Sequence, residues 1–185
     1  IKVSDSKTAN RCFLFAPDGG IRARYSKIHL FDVQLASGET YRESNTVAGG
    51  GEAAVAETDM GKIGLSICYD LRFPQLYRKL AQKGAFAFTV PSAFTVPTGS
   101  AHWHVLLRAR AIENGAFVIA PAQGGTHANG RSTYGHSLMV APWGEVLAEA
   151  GTEPGVIIAD IDPALAAEAR AKVPNLQHDR EFAGP

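Results

Sequence analysis

The sequence predicts a layered α/β domain with a mixed sheet. Its middle alternates short apolar strands with segments of helical spacing, two hairpin signals precede that part, and further hairpin strands follow it. The 185 residues are 45% apolar and 19% charged, enough apolar content for one core and too little charge for a disordered polyelectrolyte. We therefore treat residues 1–185 as one domain, with 174–185 as a C-terminal tail.

Two hairpins open the chain. The turn signals are Pro17-Asp18-Gly19-Gly20 and Asp59-Met60-Gly61, in which proline fixes φ and glycine accepts positive φ. The strands expected around them are 11–15 with 21–25, and 53–57 with 62–67. Between the hairpins, residues 32–51 are polar and Gly-rich without periodicity. This pattern predicts a long loop, and a loop of that length within a compact domain is more often functional than idle.

Strands and helices alternate in the middle of the chain. Phe73, Leu76, Tyr77, Leu80 and Ala81 recur at helical spacing behind Pro74, and Lys83-Gly84 ends that helix. The following elements are a strand at 85–90, a helix at 102–114 closed by Gly115, a strand at 117–120, strands at 137–141, 145–148 and 155–161, and a helix at 163–172.

Composition argues against several classes of function. Lys plus Arg and Asp plus Glu are both 18, so no basic excess favours nucleic acid or an anionic membrane. The uncharged stretch 84–107 is interrupted by Pro91 and Pro97, so it is expected to be core rather than a membrane span. Two cysteines without a Cys-x-x-Cys pair predict a cytoplasmic protein without a disulfide framework or a zinc site.

The first residues, Ile1-Lys2-Val3, are neither a translation start nor a signal peptide. We therefore expect that an upstream portion of the protein is missing from this sequence.

Cys68 is the most informative position. It follows the apolar strand at 63–67 and precedes a helix by about one turn, an elbow that exposes a nucleophile. A nearby cation and a helix N-terminus increase the thiolate fraction of such a cysteine. The alternative is a buried, inert cysteine. Lys27 at a strand end and Glu43 in the long loop would, taken alone, be ordinary surface charges.

Several motifs occur in a fixed order along the chain. They are Tyr25-Ser26-Lys27-Ile28-His29-Leu30-Phe31-Asp32, Gly64-Leu65-Ser66-Ile67-Cys68-Tyr69-Asp70-Leu71-Arg72-Phe73-Pro74, Ala101-His102-Trp103, Leu107-Arg108-Ala109-Arg110-Ala111-Ile112-Glu113-Asn114, Tyr134-Gly135-His136-Ser137 and Pro142-Trp143-Gly144. Together they resemble the nitrilase superfamily of carbon–nitrogen hydrolases, and most closely its Nit branch of small-amide amidases. The resemblance extends from about Tyr25 to His178.

The resemblance implies a four-layer α-β-β-α sandwich with mixed sheets that forms homodimers or larger homo-oligomers, with the tail as a candidate oligomer arm. It also implies a Glu-Lys-Cys site without a cofactor or metal. Cys68 resembles the nucleophile, Lys27 the catalytic lysine and Glu43 the second glutamate that orients the site. The family's first glutamate, its general base, precedes the lysine. We expect it in the missing N-terminal part, together with the first strand-helix segment.

The implied reaction is thiol-dependent hydrolysis of a small primary amide that carries a carboxylate, giving a carboxylate and ammonia through a Cys68 thioester. Lys27 and the backbone N–H of Tyr69 would stabilise the oxyanion. Arg72 and Arg131 are candidates for the substrate carboxylate, and Phe94 is a further expected substrate contact. We favour a deaminated-glutathione-type amidase, with an ω-amidase acting on 2-oxo-acid amides as the alternative.

Other interpretations stay open from the sequence. A papain-like Cys-His pair could use His136 or His102, although no protease signature accompanies them. His102 and His104 could suggest a metal site, but residues i and i+2 lie on different helix faces. His104 also stands where the Nit branch commonly has Glu. A non-catalytic interaction module that keeps the fold is the remaining alternative.

Overall fold

The computed structural model describes residues 1–35 and 38–184. Its strands are β1 (Arg11–Phe15), β2 (Ile21–Ser26), β3 (Asp32–Gln34), β4 (Thr40–Arg42), β5 (Ala54–Thr58), β6 (Gly61–Leu65), β7 (Ala85–Thr89), β8 (Phe117–Ala120), β9 (Gly124–Thr126), β10 (Ser132–Tyr134), β11 (Leu138–Val140) and β12 (Val146–Glu149). The α-helices are α1 (Pro74–Gln82), α2 (Val96–Asn114) and α3 (Pro163–Lys172). Short 3₁₀ turns cover Glu43–Asn45, Cys68–Arg72 and Asn175–Gln177.

The central sheet has six strands in the order β12-β11-β8-β7-β6-β5. The inner strands β6, β7 and β8 run parallel, and the remaining neighbours pair antiparallel. Parallel strands need a crossover, which α1 and α2 provide. The predicted mixed sheet is confirmed. The hairpin of β1 and β2 forms its own two-stranded sheet, and β2 contacts β5.

The helix α1 forms as the sequence predicts. Pro74 occupies the first turn, where its missing N–H costs nothing. The buried face consists of Leu76, Tyr77, Leu80 and Ala81, and the Tyr77 ring lies edge-on to Phe88 of β7 at 5.2 Å. This face anchors the helix that begins directly after the Cys68 turn.

The helix α2 begins at Val96, six residues before the predicted start at 102. Pro97 lies in the first turn rather than outside the helix, and Gly99 is buried against the Tyr134 ring. Proline and glycine interrupt the helical spacing of apolar residues at these positions, so the sequence pattern does not predict the first turns of the helix. The predicted end is correct, since Gly115 closes the helix in the left-handed conformation.

Two short hairpins form where the sequence predicts no strand. Within 32–51, β3 pairs with β4 and the Glu43–Asn45 turn follows. Within 124–130, β9 begins at Gly124 and pairs with β10. Three-residue strands rich in glycine and polar residues carry little periodicity, so the sequence pattern does not reveal them.

The strand predicted at 155–161 is absent from the described part of the chain, and this prediction is wrong for the structure. The segment keeps the alternation of a strand, and Val156 and Ile158 are 87% and 85% exposed. A strand needs a hydrogen-bonding neighbour, and none of residues 1–35 and 38–184 pairs with this segment. The segment therefore has the alternating apolar pattern of a strand but no hydrogen-bonded neighbour among the described residues.

The start of the C-terminal tail packs against α1 of its own chain. The Arg78 guanidinium donates to the carbonyl oxygen of Asn175 at 2.5 Å and contacts the Asp179 carboxylate. The Gln82 amide also donates to Asp179, at 2.5 Å. These bonds fix the chain around 175–179 on the outer side of the helix.

Candidate active site

Cys68 lies at a sharp elbow between β6 and α1. It begins the Cys68–Arg72 turn with φ of +50°, a conformation that is uncommon for a residue with a side chain. Its backbone N–H donates to the carbonyl oxygen of Pro91 at 3.1 Å. The elbow places a half-buried thiol on the wall of a pocket, and its role as a nucleophile stays a prediction.

Lys27 follows the end of β2 and is almost completely buried, with 3% of its side chain exposed. Its ammonium lies 2.5 Å from Oε2 of Glu43. Its backbone N–H donates to Asn10 at 2.9 Å, and its carbonyl accepts from Gly50 at 2.8 Å. A lysine held in this way is not a solvated surface charge, because burial of an ammonium requires a partner.

The Glu43 carboxylate accepts hydrogen bonds on both oxygens. Oε2 accepts from the Lys27 ammonium and from the backbone N–H of Phe31 at 2.7 Å, and Oε1 accepts from the Asn10 amide at 3.2 Å. Burial alone would raise the pKa of Glu43, but the charge of Lys27 and the hydrogen bonds from Lys27, Phe31 and Asn10 together outweigh it and hold the pKa below its ordinary value. Such a carboxylate suits orientation of the lysine.

One pocket of about 710 Å³ brings the sequence-predicted residues together. Its wall includes Cys68, Lys27, Glu43, Tyr69, Arg72, Phe94 and Arg131. Among the described residues, its charged side chains are five cations and one carboxylate. They are Arg11, Lys27, Arg42, Arg72, Arg131 and Glu43. This balance makes the pocket attractive to an anionic ligand.

The two predicted carboxylate-binding arginines lie on aromatic rings of the pocket. The Arg72 guanidinium is 5.5 Å from the centre of the Phe94 ring and 6.0 Å from that of Tyr69. The Arg131 guanidinium lies 5.3 Å from the Tyr41 ring and donates to the carbonyl of Ala93 at 2.7 Å. Neither of the two forms an ion pair with a carboxylate in the described part of the chain.

The histidines lie elsewhere. Within the described ranges, none of them lines the pocket with Cys68. A papain-like pair needs a histidine beside the cysteine, and the described part of the chain places none there. The His136 carbonyl accepts from the Trp103 indole at 2.7 Å, His102 lies 3.3 Å from the Arg72 guanidinium, and His104 is 2.8 Å from Glu149. No group of three or more metal-binding side chains was found among residues 1–35 and 38–184.

Sequence reasoning missed several residues of the pocket wall. They are Asn10, Arg11, Cys12, Arg42 and Gln123, among others. One signal was available, since the predicted hairpin pairs Arg11 with Ser26, the residue before Lys27. The position of Gln123 depends on the packing of distant segments, which no local pattern reveals.

Comparison with known proteins places these features in a family. The family model described as "Carbon-nitrogen hydrolase" matches residues 2–171. The deaminated glutathione amidase of Synechocystis sp. is 52% identical over 174 residues, which cover 93% of this chain and 64% of that protein. The human omega-amidase NIT2 is 40% identical over 174 residues, covering 94% of this chain and 63% of that protein.

A solved structure shares the fold. The crystal structure of the Caenorhabditis elegans NitFhit protein superposes with a TM-score of 0.85 at 40% identity, covering 95% of this chain and 43% of that one. The chain thus has the nitrilase-type α/β sandwich fold that the motifs implied, and it spans somewhat less than two thirds of the curated relatives' length. Within the described ranges, no helix has both the length and the apolar character needed to cross a membrane.

The geometry of the site and the comparisons point to the same family. The site contributes the Cys68 elbow and the buried Lys27–Glu43 pair, and the comparisons contribute the family match and the structural similarity. The chain belongs to the carbon–nitrogen hydrolase family of the nitrilase superfamily, and its relatives include proteins of the Nit branch.

Proposed function

We propose that the protein containing this chain hydrolyses an amide that carries a carboxylate, through a thioester on Cys68. The observation that carries the proposal is the pocket whose wall an elbow cysteine shares with five cationic side chains and one carboxylate. The thiol supplies a nucleophile, and the excess of cations supplies recognition of an anionic substrate.

The chemistry proceeds in two stages. The Cys68 thiolate attacks the amide carbonyl, the C–S bond forms, and the carbonyl electrons move to oxygen. The Lys27 ammonium and the backbone N–H of Tyr69 stabilise this oxyanion, each such donor contributing about 3–4 kcal/mol to the transition state. Collapse breaks the C–N bond and releases the amine. Water then cleaves the thioester to the carboxylate and restores the thiol.

The proton transfers need a carboxylate that is free to exchange protons. We assign them to the upstream glutamate that the family resemblance implies, because both oxygens of Glu43 already accept hydrogen bonds. This glutamate would accept the thiol proton, deliver it to the departing amine and then activate water. In this scheme Glu43 holds the Lys27 ammonium in place.

Deaminated glutathione is our first choice of substrate class. The relative named for it is 52% identical, against 40% for the omega-amidase, and a pocket of about 710 Å³ with five cations suits a peptide-sized dianion. The two candidate substrates differ in leaving group. Our first choice departs from the primary amide and the ammonia expected from the sequence, because the amide bonds of a glutathione derivative are secondary and release an amine. An ω-amide of a 2-oxo acid is primary and releases ammonia.

The proposal is tested with iodoacetylglycine, a haloacetamide that carries a carboxylate. We expect it to label Cys68 with saturating kinetics, and deaminated glutathione to protect the thiol. Cys12 and Cys68 lie on different tryptic peptides, so mass spectrometry separates them. Arg131→Ala should raise the half-saturating concentration about tenfold, because a charge-assisted contact is lost, while labelling by neutral iodoacetamide stays unchanged.

Arg180→Ala provides the matched control, since this arginine lies in the tail and outside the pocket wall. Labelling that is linear in reagent concentration, unprotected by either amide and equal at both cysteines would contradict the proposal. That result would favour the non-catalytic interaction module. Stronger protection by a 2-oxo-acid ω-amide, with release of ammonia on turnover, would instead favour the ω-amidase.

We further propose that the protein acts in the cytoplasm as a homodimer or larger homo-oligomer. Both cysteines are unpaired, as a reducing compartment requires. On α2, Val105 and Ile112 are exposed seven residues apart on one face, and the exposed Trp143 belongs to the turn beside Ile112. Light scattering of the wild-type chain and of Val105→Glu tests whether this face joins two copies.

A further inference from the structure

A buried carboxylate connects the segment that carries Lys27 with the elbow that carries Cys68. Asp70 lies two residues after Cys68 and its side chain is completely buried. One oxygen, Oδ2, accepts from the Tyr25 hydroxyl at 2.7 Å and from the backbone N–H of Ile67 at 2.9 Å. The other, Oδ1, accepts from the backbone N–H of His29 at 3.0 Å and from its ring Nδ1 at 2.7 Å.

These hydrogen-bond partners of Asp70 lie close in sequence to both reactive residues. Tyr25 precedes Lys27 by two residues and His29 follows it by two, while Ile67 directly precedes Cys68. The Tyr25 hydroxyl also accepts from the backbone N–H of Ile28 at 3.2 Å. A side chain that bonds on both sides of the lysine and immediately before the cysteine fixes the separation of the two segments.

The Asp70 carboxylate accepts these hydrogen bonds inside the protein and does not face the pocket. Asp70 does not line the pocket wall, and its two oxygens already accept four hydrogen bonds. A carboxylate without solvent is costly to bury unless its acceptor sites are filled, as they are here. It is therefore poorly placed to exchange protons with a substrate.

We propose that Asp70 is a positioning residue that sets the Lys27 ammonium against the Cys68 thiol. The inference rests on the proposed function, because it assigns a consequence to the meeting of these two groups. Asp70 acts through Lys27: with the aspartate altered, the ammonium loses its fixed place beside the thiolate and the developing oxyanion.

The experiment compares two small alkylating agents on the purified chain. Iodoacetate is an anion and iodoacetamide is neutral and nearly the same size, so the ratio of their rate constants at Cys68 reports the positive field at the sulfur. Asp70→Asn keeps the shape of the side chain but offers an NH₂ group to two of the four donors. We expect this substitution to lower the ratio about fivefold, as Lys27→Met does.

A double-mutant cycle separates positioning from general destabilisation. If Asp70 acts through Lys27, then Asp70→Asn has no further effect on the ratio in the Lys27→Met background. Tyr25→Phe removes one donor and keeps the carboxylate, and we expect it to lower the ratio by a smaller factor. The Tyr25→Phe variant also provides a second test of the proposal if Asp70→Asn does not fold.

Tyr77→Phe is the matched control. It breaks a hydrogen bond of 2.7 Å between the Tyr77 hydroxyl and Ser66, equally buried and two residues before Cys68, without touching the Lys27 segment. The proposal is overturned if Asp70→Asn and Tyr77→Phe give the same ratio of rate constants. It is also overturned if Asp70→Asn lowers the ratio by the same factor in the wild-type and in the Lys27→Met background. If Lys27→Met alone leaves the ratio unchanged, the role of Lys27 in the proposed function fails as well.

Discussion

At the scale of the residue, Cys68 has a backbone conformation that its side chain does not favour. A φ of +50° brings Cβ close to the backbone, and this strain is held by the packing of the elbow and by the bond to Pro91. Strain at such a position is a cost in stability that keeps the thiol on the pocket wall. It is measurable without any substrate.

We expect Cys68→Gly to be more stable than Cys68→Ala, the reverse of the usual order. Both variants lack the thiol, but only glycine adopts positive φ without strain, and the difference should be about 1 kcal/mol. Urea denaturation of the two variants measures it. An alanine variant as stable as the glycine variant would show that the elbow relaxes.

Glu43 gives a second prediction at this scale. Burial is the largest single influence and raises its pKa. The charge of Lys27 and the hydrogen bonds from Lys27, Phe31 and Asn10 together lower it by more, so the pKa lies below the ordinary value of 4.5 in the folded chain. Its contribution to stability is therefore present above pH 4.5 and is lost as the pH falls through the folded pKa. Glu43→Gln should lower the melting temperature most near neutral pH, and the gap to wild type should close in acid.

A matched comparison for this effect is Glu57→Gln, which removes an exposed partner of Lys62 at 3.3 Å. Exposed pairs contribute little, so its melting temperature should follow wild type at every pH. A gap for Glu43→Gln that stays constant down to strong acid would mean that the ionised carboxylate does not stabilise the fold.

At the scale of the element, the strand that leads to Lys27 is packed against a glycine-rich segment. A Cβ on Gly50 would lie 2.2 Å from the carbonyl oxygen of Ser26, a backbone atom that cannot rotate away. A Cβ on the neighbouring Gly51 would meet no heavy atom within 4 Å among the described residues. The glycine run at 49–51 therefore lets two backbones meet next to the lysine.

Gly50→Ala should destabilise the chain by about 1–3 kcal/mol and lower the iodoacetate preference of Cys68, because the Lys27 segment is displaced. Gly51→Ala should change stability by less than about 0.5 kcal/mol. Thermal melts and alkylation rates of the two variants provide the comparison. Equal effects at both positions would show that the loss of glycine flexibility, and not the contact with Ser26, is responsible.

The elements that the sequence predicted are those whose signal is local. The helix α1 has an apolar face at 3.6-residue spacing, a first-turn proline and a clear end, so its bounds follow from the residues alone. The first turns of α2 contain Gly99, whose local preference opposes a helix, and burial against Tyr134 overrides it. Long-range packing of this kind leaves no pattern within a short window.

At the scale of the whole molecule, the pocket is assembled from segments far apart in the chain. The motifs predicted Cys68 and Lys27 as members of one site, and the structure adds Arg11 and Arg42 from separate strands. Only the tertiary fold reveals that these cations face the same space. This explains why the motifs could predict that Cys68 and Lys27 lie in one site, whereas they could not predict the charge balance of the pocket.

The pocket also predicts how this chain behaves as a catalyst. Glu43 is the single carboxylate on the described wall, and three donors occupy it. We expect turnover of deaminated glutathione by the purified 185-residue chain to be about 10²–10⁴-fold slower than by the Synechocystis relative, with Cys68 still open to labelling. Product analysis by mass spectrometry measures both. Comparable turnover would place the proton carrier within these residues.

The extended segment 155–161 has a consequence for the chain in solution. Its run Val156, Ile157 and Ile158 is β-branched and uncharged, and Val156 and Ile158 are exposed. No strand in the described ranges pairs with it, and such a composition favours the growth of cross-β aggregates. Glu153 and Pro154 stand on one side of the run and Asp160 on the other. Charge and proline at such flanks act as gatekeepers, so we expect these three residues to oppose aggregation of the chain in concentrated solution.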